Sequence, residues 1–257
     1  MMFRILPRKS NGPSRRAAES TRRFDVPLAP ARDLAVIGDV HGCDGLLQTL
    51  LARLEVQAPG AQLVFVGDLI DRGEASRRVL DTVHAQRDQC ITLRGNHEEL
   101  MLDFLDAPER AGARWLRNGG LQTLASFDIG GVTEHANEAS MRRARDQLRD
   151  RLGPEKEAWL RSCPRAWGSG NVTVTHAGAD PWVPITAQKG RCLTWGHPDF
   201  GLRARTDGVW IVHGHTIVPE PVCDQGVISV DTGAFATGRL TAALISSQGV
   251  CFVTVSG

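Results

Sequence analysis

Carboxylates, imidazoles and one amide recur in this chain just after short apolar runs. "GDVHG" carries Asp39 and His41, "GDLIDRG" carries Asp68, Asp71 and Arg72, and "LRGNHEEL" carries Asn96, His97 and Glu98. Further on, "THAG" supplies His176 and "HGHT" supplies His213 and His215. No thiolate is placed among them. This donor set suits hard or borderline divalent ions such as manganese, iron or zinc. If Asp39 and Asp68 converge, their like charges repel unless cations lie between them. Two ions about 3.5–4 Å apart, bridged by one carboxylate, can hold a hydroxide and both ends of an in-line displacement at phosphorus. Metal lowers the pKa of bound water to about 7, which provides a nucleophile at neutral pH.

Within this set Asn96 reads as a neutral oxygen ligand. His97, beside it on the turn, reads as the acid that protonates the leaving oxygen, with Asp71 orienting its imidazole. Arg72 offers a planar fork for a phosphate oxygen. Each motif alone is commonplace, because an Asp or a Gly-Asn-His after a strand is usually a turn. Their joint occurrence, in order and each behind an apolar run, supports the metal-site reading. His84 and His135 lie outside the motifs and read as surface histidines, and His213 as a neighbour of His215.

The elements that must position these groups are legible in outline. "LAVIG" (34–38), "LVFVG" (63–67) and "CITLRG" (90–95) are short apolar runs closing on glycine, as buried strands do. Between them Leu46, Leu47, Leu50, Leu51 and Leu54 recur at helical spacing, and Val79, Leu80 and Val83 mark a second helix. Strand alternating with helix implies a largely parallel sheet, whose strand ends line one ligand-binding edge. From about residue 100 to 165 the chain turns rich in Arg, Asp, Glu and Leu. "MRRARDQLRDRLGPEKEAWL" reads there as amphipathic helix broken near Gly153-Pro154. "NVTVTH", "VWIVHG", "VISVDT", "LTAALIS" and "VCFVTV" then predict a second, more antiparallel sheet.

A net charge of +1 on 257 residues argues against a molecule built to wrap nucleic acid, and no apolar stretch approaches a membrane span. Six scattered cysteines without C-x-x-C pairs read as reduced thiols of a cytoplasmic protein. Residues 1–32 hold several arginines and prolines without apolar periodicity and read as a flexible basic arm; residues 33–257 form the domain proper.

"GDVHGC", "GDLIDRG", "LRGNHEELML", "WLRNGG", "HAG", "VHGHT" and "DTGA" together resemble the calcineurin-like metallophosphoesterases. More narrowly they look like the phosphoprotein phosphatase branch, with its lambda-phosphatase-like bacterial serine/threonine phosphatases. The resemblance implies an α/β fold, a four-layer αββα sandwich of two mixed sheets, with a helical cap at about 100–165. It implies two divalent ions, manganese foremost, with Asp39 and His41 on the first, Asp68 bridging, and Asn96, His176 and His215 on the second. His97 would be the general acid supported by Asp71, and Arg72 the phosphate anchor. "TWGHPDF" departs from the branch: His197 stands where an arginine that also holds phosphate is expected, with Arg191 and Arg203 as other cations nearby. The expected activity is hydrolysis of phosphoserine or phosphothreonine by a metal-activated hydroxide, on a phosphorylated protein or small phosphate ester. The alternative is a diadenosine tetraphosphate hydrolase, a group in which the counterparts of Asp71 and Glu98 are often replaced.

Overall fold

The computed structural model describes residues 23–257. The chain opens on β1 (Leu34–Ile37), α1 (Asp44–Gln57), β2 (Gln62–Phe65), α2 (Ser76–Ala85) and β3 (Cys90–Thr92). The three strands are parallel, β1 beside β2 and β2 beside β3. Side chains alternate across each strand. Ala35, Ile37 and Phe65 therefore face Leu47, Leu50 and Leu54 of α1 and Val79, Leu80 and Val83 of α2. Leu34, Val36 and Val64 face the other way. Burial on both faces is why these strands read as unbroken apolar runs.

A helical stretch follows: α3 (Asn96–Asp106), α4 (Pro108–Trp115), α5 (Leu121–Ser126), α6 (Glu138–Leu152) and α7 (Pro154–Ser162). Asn137 caps α6 by accepting the Ser140 N–H, and Gly153 ends it at φ 79°, with Pro154 opening α7. The expected break falls at that point. The insertion shares one core with the first two helices, through Leu100, Phe104, Trp115, Leu124, Met141 and Leu148. It widens the helical layer over the first sheet.

The second sheet comprises β4 (Ala166–Ser169), β5 (Val172–Thr175), β6 (Trp210–His213), β7 (Val222–Asp224) and β8 (Val227–Ser229), in the order β4-β5-β6-β8-β7. Its Val172, Val174, Val212 and Ile228 meet Leu34, Val36 and Val64, and this is the seam of the sandwich. The outer helical layer on this side is thin. A short helix, α8 (Gly190–Trp195), and adjoining loops cover it around Leu193, Ile211 and Ala179.

After α9 (Ala234–Thr237), β9 (Arg239–Ser246) and β10 (Gly249–Ser256) complete the fold, which is the mixed two-sheet sandwich. These last strands, "LTAALIS" and "VCFVTV", were expected in the second sheet. They belong to the first, which runs β10-β9-β1-β2-β3 with β9 antiparallel to β1 (Leu34↔Ile245, Ile37↔Ala242). Nor is the second sheet mainly antiparallel, since β5, β6 and β8 are parallel neighbours. An apolar run reports burial; it carries no mark of which neighbour it pairs with.

Most of the expected flexible arm, residues 1–22, lies outside the described residues. Its last part is tied down. Phe24 packs edge-on to Trp210 at 5.1 Å, Ala29 N–H and Ala31 N–H donate to Asn171 Oδ1 and Ser169 Oγ, and Trp210 Nε1–H donates to the Val26 carbonyl. Phe24, Val26 and Leu28 supply apolar anchors among the arginines and prolines. Among the described residues no helix is long and apolar enough to cross a membrane.

Candidate metal centre

The C-terminal ends of β1, β2, β3, β5 and β6 deliver the motif residues to one place between the sheets. Asp39 and His41 follow β1, Asp68 follows β2, Asn96 and His97 open α3 after β3, and His176 and His215 follow β5 and β6. Among the described residues seven non-glycine residues have positive φ, and five of them are here: His41, Asp68, Asp71, Arg72 and His215. That conformation is costly for such side chains and clusters at functional sites. Two glycines permit the closeness. A Cβ on Gly95 would strike Asp68 Oδ1, and one on Gly214 would strike Asp39 Oδ1.

Asp68 is the hub. Its Oδ1 accepts the His97 N–H at 2.9 Å, at the positive start of α3. Its Oδ2 lies 3.4 Å from His176 Nε2, 3.6 Å from His41 Nε2 and 3.9 Å from His97 Nε2. Burial works against its charge, yet His176 and His97 hold it well below the usual carboxylate range. Two donor groups thus share one carboxylate: His41, Asp68 and His97, and Asp68, His176 and His215, each with ligand atoms within 4.8 Å of one another.

The imidazoles are turned as metal ligands are. His41 Nδ1 bonds the Ile70 carbonyl at 2.8 Å and His176 Nδ1 the Val66 carbonyl at 3.0 Å, so both present Nε2 to the cluster. Burial pushes His41 down to about 3, and burial with His176 pushes His215 down to about 4, leaving both neutral. His176 differs. Burial opposes its charge, but Asp68 carries it up to about 10, and its Nε2 sits 2.8 Å from Asn96 Oδ1. A cation among these groups would stand where that proton stands. Asp39 is fully buried, and burial followed by Asp231 pushes it well above the usual range. Acid crowded on buried acid is the electrostatic setting that cations relieve. The residues present therefore fit a pair of divalent ions.

Asp39 belongs to neither triad but lies within the field of His176 and Asp68, with its two oxygens accepting the His215 N–H at 3.1 and 3.0 Å. His97 occupies the third corner of the first group. Its Nδ1 is 2.7 Å from Asp71 Oδ2, and its buried Nε2 has no hydrogen-bond partner among the described residues. Burial lowers the affinity of that imidazole for a proton, but Asp68 and Asp71 outweigh burial and raise it above the ordinary histidine value. Arg72 reaches His41 Nε2 with Nη1 at 3.1 Å, and its guanidinium lies 4.7 Å from the Phe235 ring centroid.

His197 is placed elsewhere. Its Nε2 is 3.6 Å from Asp180 Oδ2 and its Nδ1 accepts the Asp199 N–H; no contact of the described residues joins it to the cluster. Arg191 lies over Trp195 and Arg203 over Trp182. His213 bonds Ser229 Oγ and the Gly214 carbonyl and is a buried neighbour, as expected.

Asp71 sits behind His97 as expected; what sequence reasoning missed is the support behind Asp71 and the part played by Glu98. Asp71 is wholly buried and receives Thr123 Oγ1–H at 2.6 Å and Trp115 Nε1–H at 3.0 and 3.1 Å, besides His97. Glu98 accepts three backbone N–H groups, from Asp68, Leu69 and Gly95, at 2.8, 2.8 and 2.9 Å, and so fixes the loop carrying Asp68. Trp115 was visible in "WLRNGG", whereas Thr123 carries no sequence signal.

Residues 33–219 match the family described as calcineurin-like phosphoesterase. The asymmetrical bis(5'-nucleosyl)-tetraphosphatase PrpE of Anoxybacillus flavithermus is 29% identical over 232 residues, 80% of this chain and 88% of that protein. Serine/threonine-protein phosphatase 2 of Salmonella typhimurium is 35% identical over 102 residues, 40% of this chain and 45% of its own length. Among solved structures, a putative diadenosine tetraphosphatase superposes with TM-score 0.62 at 21% identity, covering 88% of this chain and 94% of that one.

Proposed function

The chain belongs to the calcineurin-like phosphoesterases, and from that membership we propose that it is a metal-dependent hydrolase of dinucleoside polyphosphates. The observation that carries the substrate class is the extent of the likeness. The tetraphosphatase relative matches along most of both chains, whereas the protein-phosphatase relative matches less than half of either.

In this reading His41, Asp68, His176, His215 and Asn96, with Asp39 beside them, would hold two divalent ions. When bound, such ions polarise the phosphoryl oxygens and make water acidic enough to attack at neutral pH. Manganese, iron and zinc all suit this donor set. Arg72 orients the reacting phosphoryl group through its fork of N–H donors. His97, held from behind by Asp71, gives the proton on Nε2 to the departing oxygen. His197, remote from the cluster in its contacts, takes no part in gripping that phosphate.

Phosphoserine or phosphothreonine hydrolysis is the second reading, and Asp71 and Glu98 favour it: both are present, buried and fully hydrogen bonded. Turnover of a dinucleoside tetraphosphate beside a phosphoserine peptide, on protein of known metal content, decides between them. A kcat/KM clearly higher for the dinucleotide supports the first; clear preference for the peptide replaces it with the second.

A further inference from the structure

A groove of about 640 Å³ opens beside the cluster, within the ~300–1,000 Å³ range of small-molecule sites. Arg72 belongs to both: it lines the groove and bonds His41 Nε2. Phe235, 38% exposed, forms part of the wall. Its ring is fixed by the Arg72 guanidinium at 4.7 Å and by the edge contact with His41 at 5.2 Å. Leu121, 40% exposed, and Arg117 also line it. Arg117 is paired only loosely, its Nε 3.9 Å from Glu134 Oε2, with most of its side chain in solvent. Such an exposed pair is weak and yields readily to a stronger anion.

The groove therefore adjoins the cluster through Arg72 and offers two guanidinium groups, one of them facing Glu134, together with an aromatic ring packed on Arg72 and His41 and an exposed aliphatic side chain. A chain of phosphates ending in a flat base matches that combination. A phosphoserine peptide carries one phosphate and no ring that the motif requires. Resting on the dinucleotide reading, we infer that this groove holds one nucleoside half of the substrate, its base against Phe235 and Leu121 and its inner phosphates toward Arg72 and Arg117. Phe235 and Arg117 are then specificity-determining residues of the site.

The test compares wild type, Phe235→Ala, Phe235→Trp and Arg117→Gln on a dinucleoside tetraphosphate and on p-nitrophenyl phosphate. The readout is the ratio of the two kcat/KM values, so any disturbance of Arg72 common to both substrates cancels. Phe235→Ala should lower the ratio about tenfold, as loss of one stacked base does, and Phe235→Trp should restore it. Arg117→Gln should raise KM for the dinucleotide several-fold with little change in kcat. An unchanged ratio in both Phe235→Ala and Arg117→Gln, in an enzyme that hydrolyses the dinucleotide, overturns the groove assignment alone. A wild type that cleaves p-nitrophenyl phosphate but not the dinucleotide overturns the functional reading itself.

Discussion

Thr123→Val isolates the support behind His97, the proposed general acid. The substitution keeps shape and removes one hydroxyl, which donates to Asp71 Oδ1 at 2.6 Å and accepts the Asp71 N–H at 2.9 Å. The N–H keeps a second acceptor in Ser76 Oγ at 3.1 Å, so the main loss falls on the carboxylate. A hydrogen bond to a buried charged group contributes about 1.5–3 kcal/mol. Trp115 still serves both Asp71 oxygens, which places the expected loss near the lower end. Only the part of that loss felt in the transition state reaches kcat, so at about 1.4 kcal/mol per tenfold kcat should fall up to roughly tenfold where proton delivery limits the reaction. The assay is steady-state turnover of β-glycerophosphate, whose alkoxide must be protonated, against p-nitrophenyl phosphate, whose phenolate leaves unaided. The first should lose the full factor and the second little, with Thr123→Ser recovering both. A melting temperature lower by about 3–6 °C should accompany it. Equal losses on the two substrates, or none on β-glycerophosphate, would refute a chain of support running from Thr123 through Asp71 to His97.

Asp68→Asn should abolish turnover and lower metal content measured by plasma mass spectrometry, because the shared carboxylate loses its charge; retained activity removes Asp68 from the hub. His97→Asn should slow turnover while metal content stays near wild type, and loss of metal would instead make His97 a ligand in the corner it shares with His41 and Asp68. In Asp71→Asn the alkaline limb of the pH–rate profile should move to lower pH. In the proposed role His97 acts protonated, activity is lost as pH rises through its raised value, and after Asp68 the Asp71 carboxylate is what raises it; an unmoved limb would detach Asp71 from that proton. Brief iodoacetamide treatment should label exposed Cys251 and spare Cys163, whose thiol burial and then Glu98 push up to about 12. Peptide mass mapping reads the result, and early labelling of Cys163 would show that its surroundings open.

Groups proposed to act directly were legible, because chemistry demands particular side chains and the parallel-strand rule places them together. Asp39, His41, Asp68, Asn96, His97, His176 and His215 all arrive from strand ends named in the sequence. What escaped was of two kinds. Thr123 itself, and the role though not the presence of Glu98, escaped because their hydrogen bonds reach atoms 52 and 30 residues away, and nothing local in a threonine or glutamate announces that partner. Strand pairing escaped for a related reason: Ala242 and Ala243 in β9 read like any buried strand, and their neighbour β1 lies some two hundred residues earlier. His197, expected from its motif position to stand near phosphate, has Asp180 and Asp199 as its partners.

The placement of β9 bears on how the protein can be cut. The family match stops at residue 219, and every proposed ligand precedes it. A fragment ending there would keep every proposed ligand, yet it would lose Phe235 and β8 beside β6, strip the β1 flank of its ladder and expose Val36 and Ile37 just ahead of Asp39. Truncation after 219 should therefore yield insoluble chain rather than a weaker enzyme, and the smallest workable piece must run through the final hairpin.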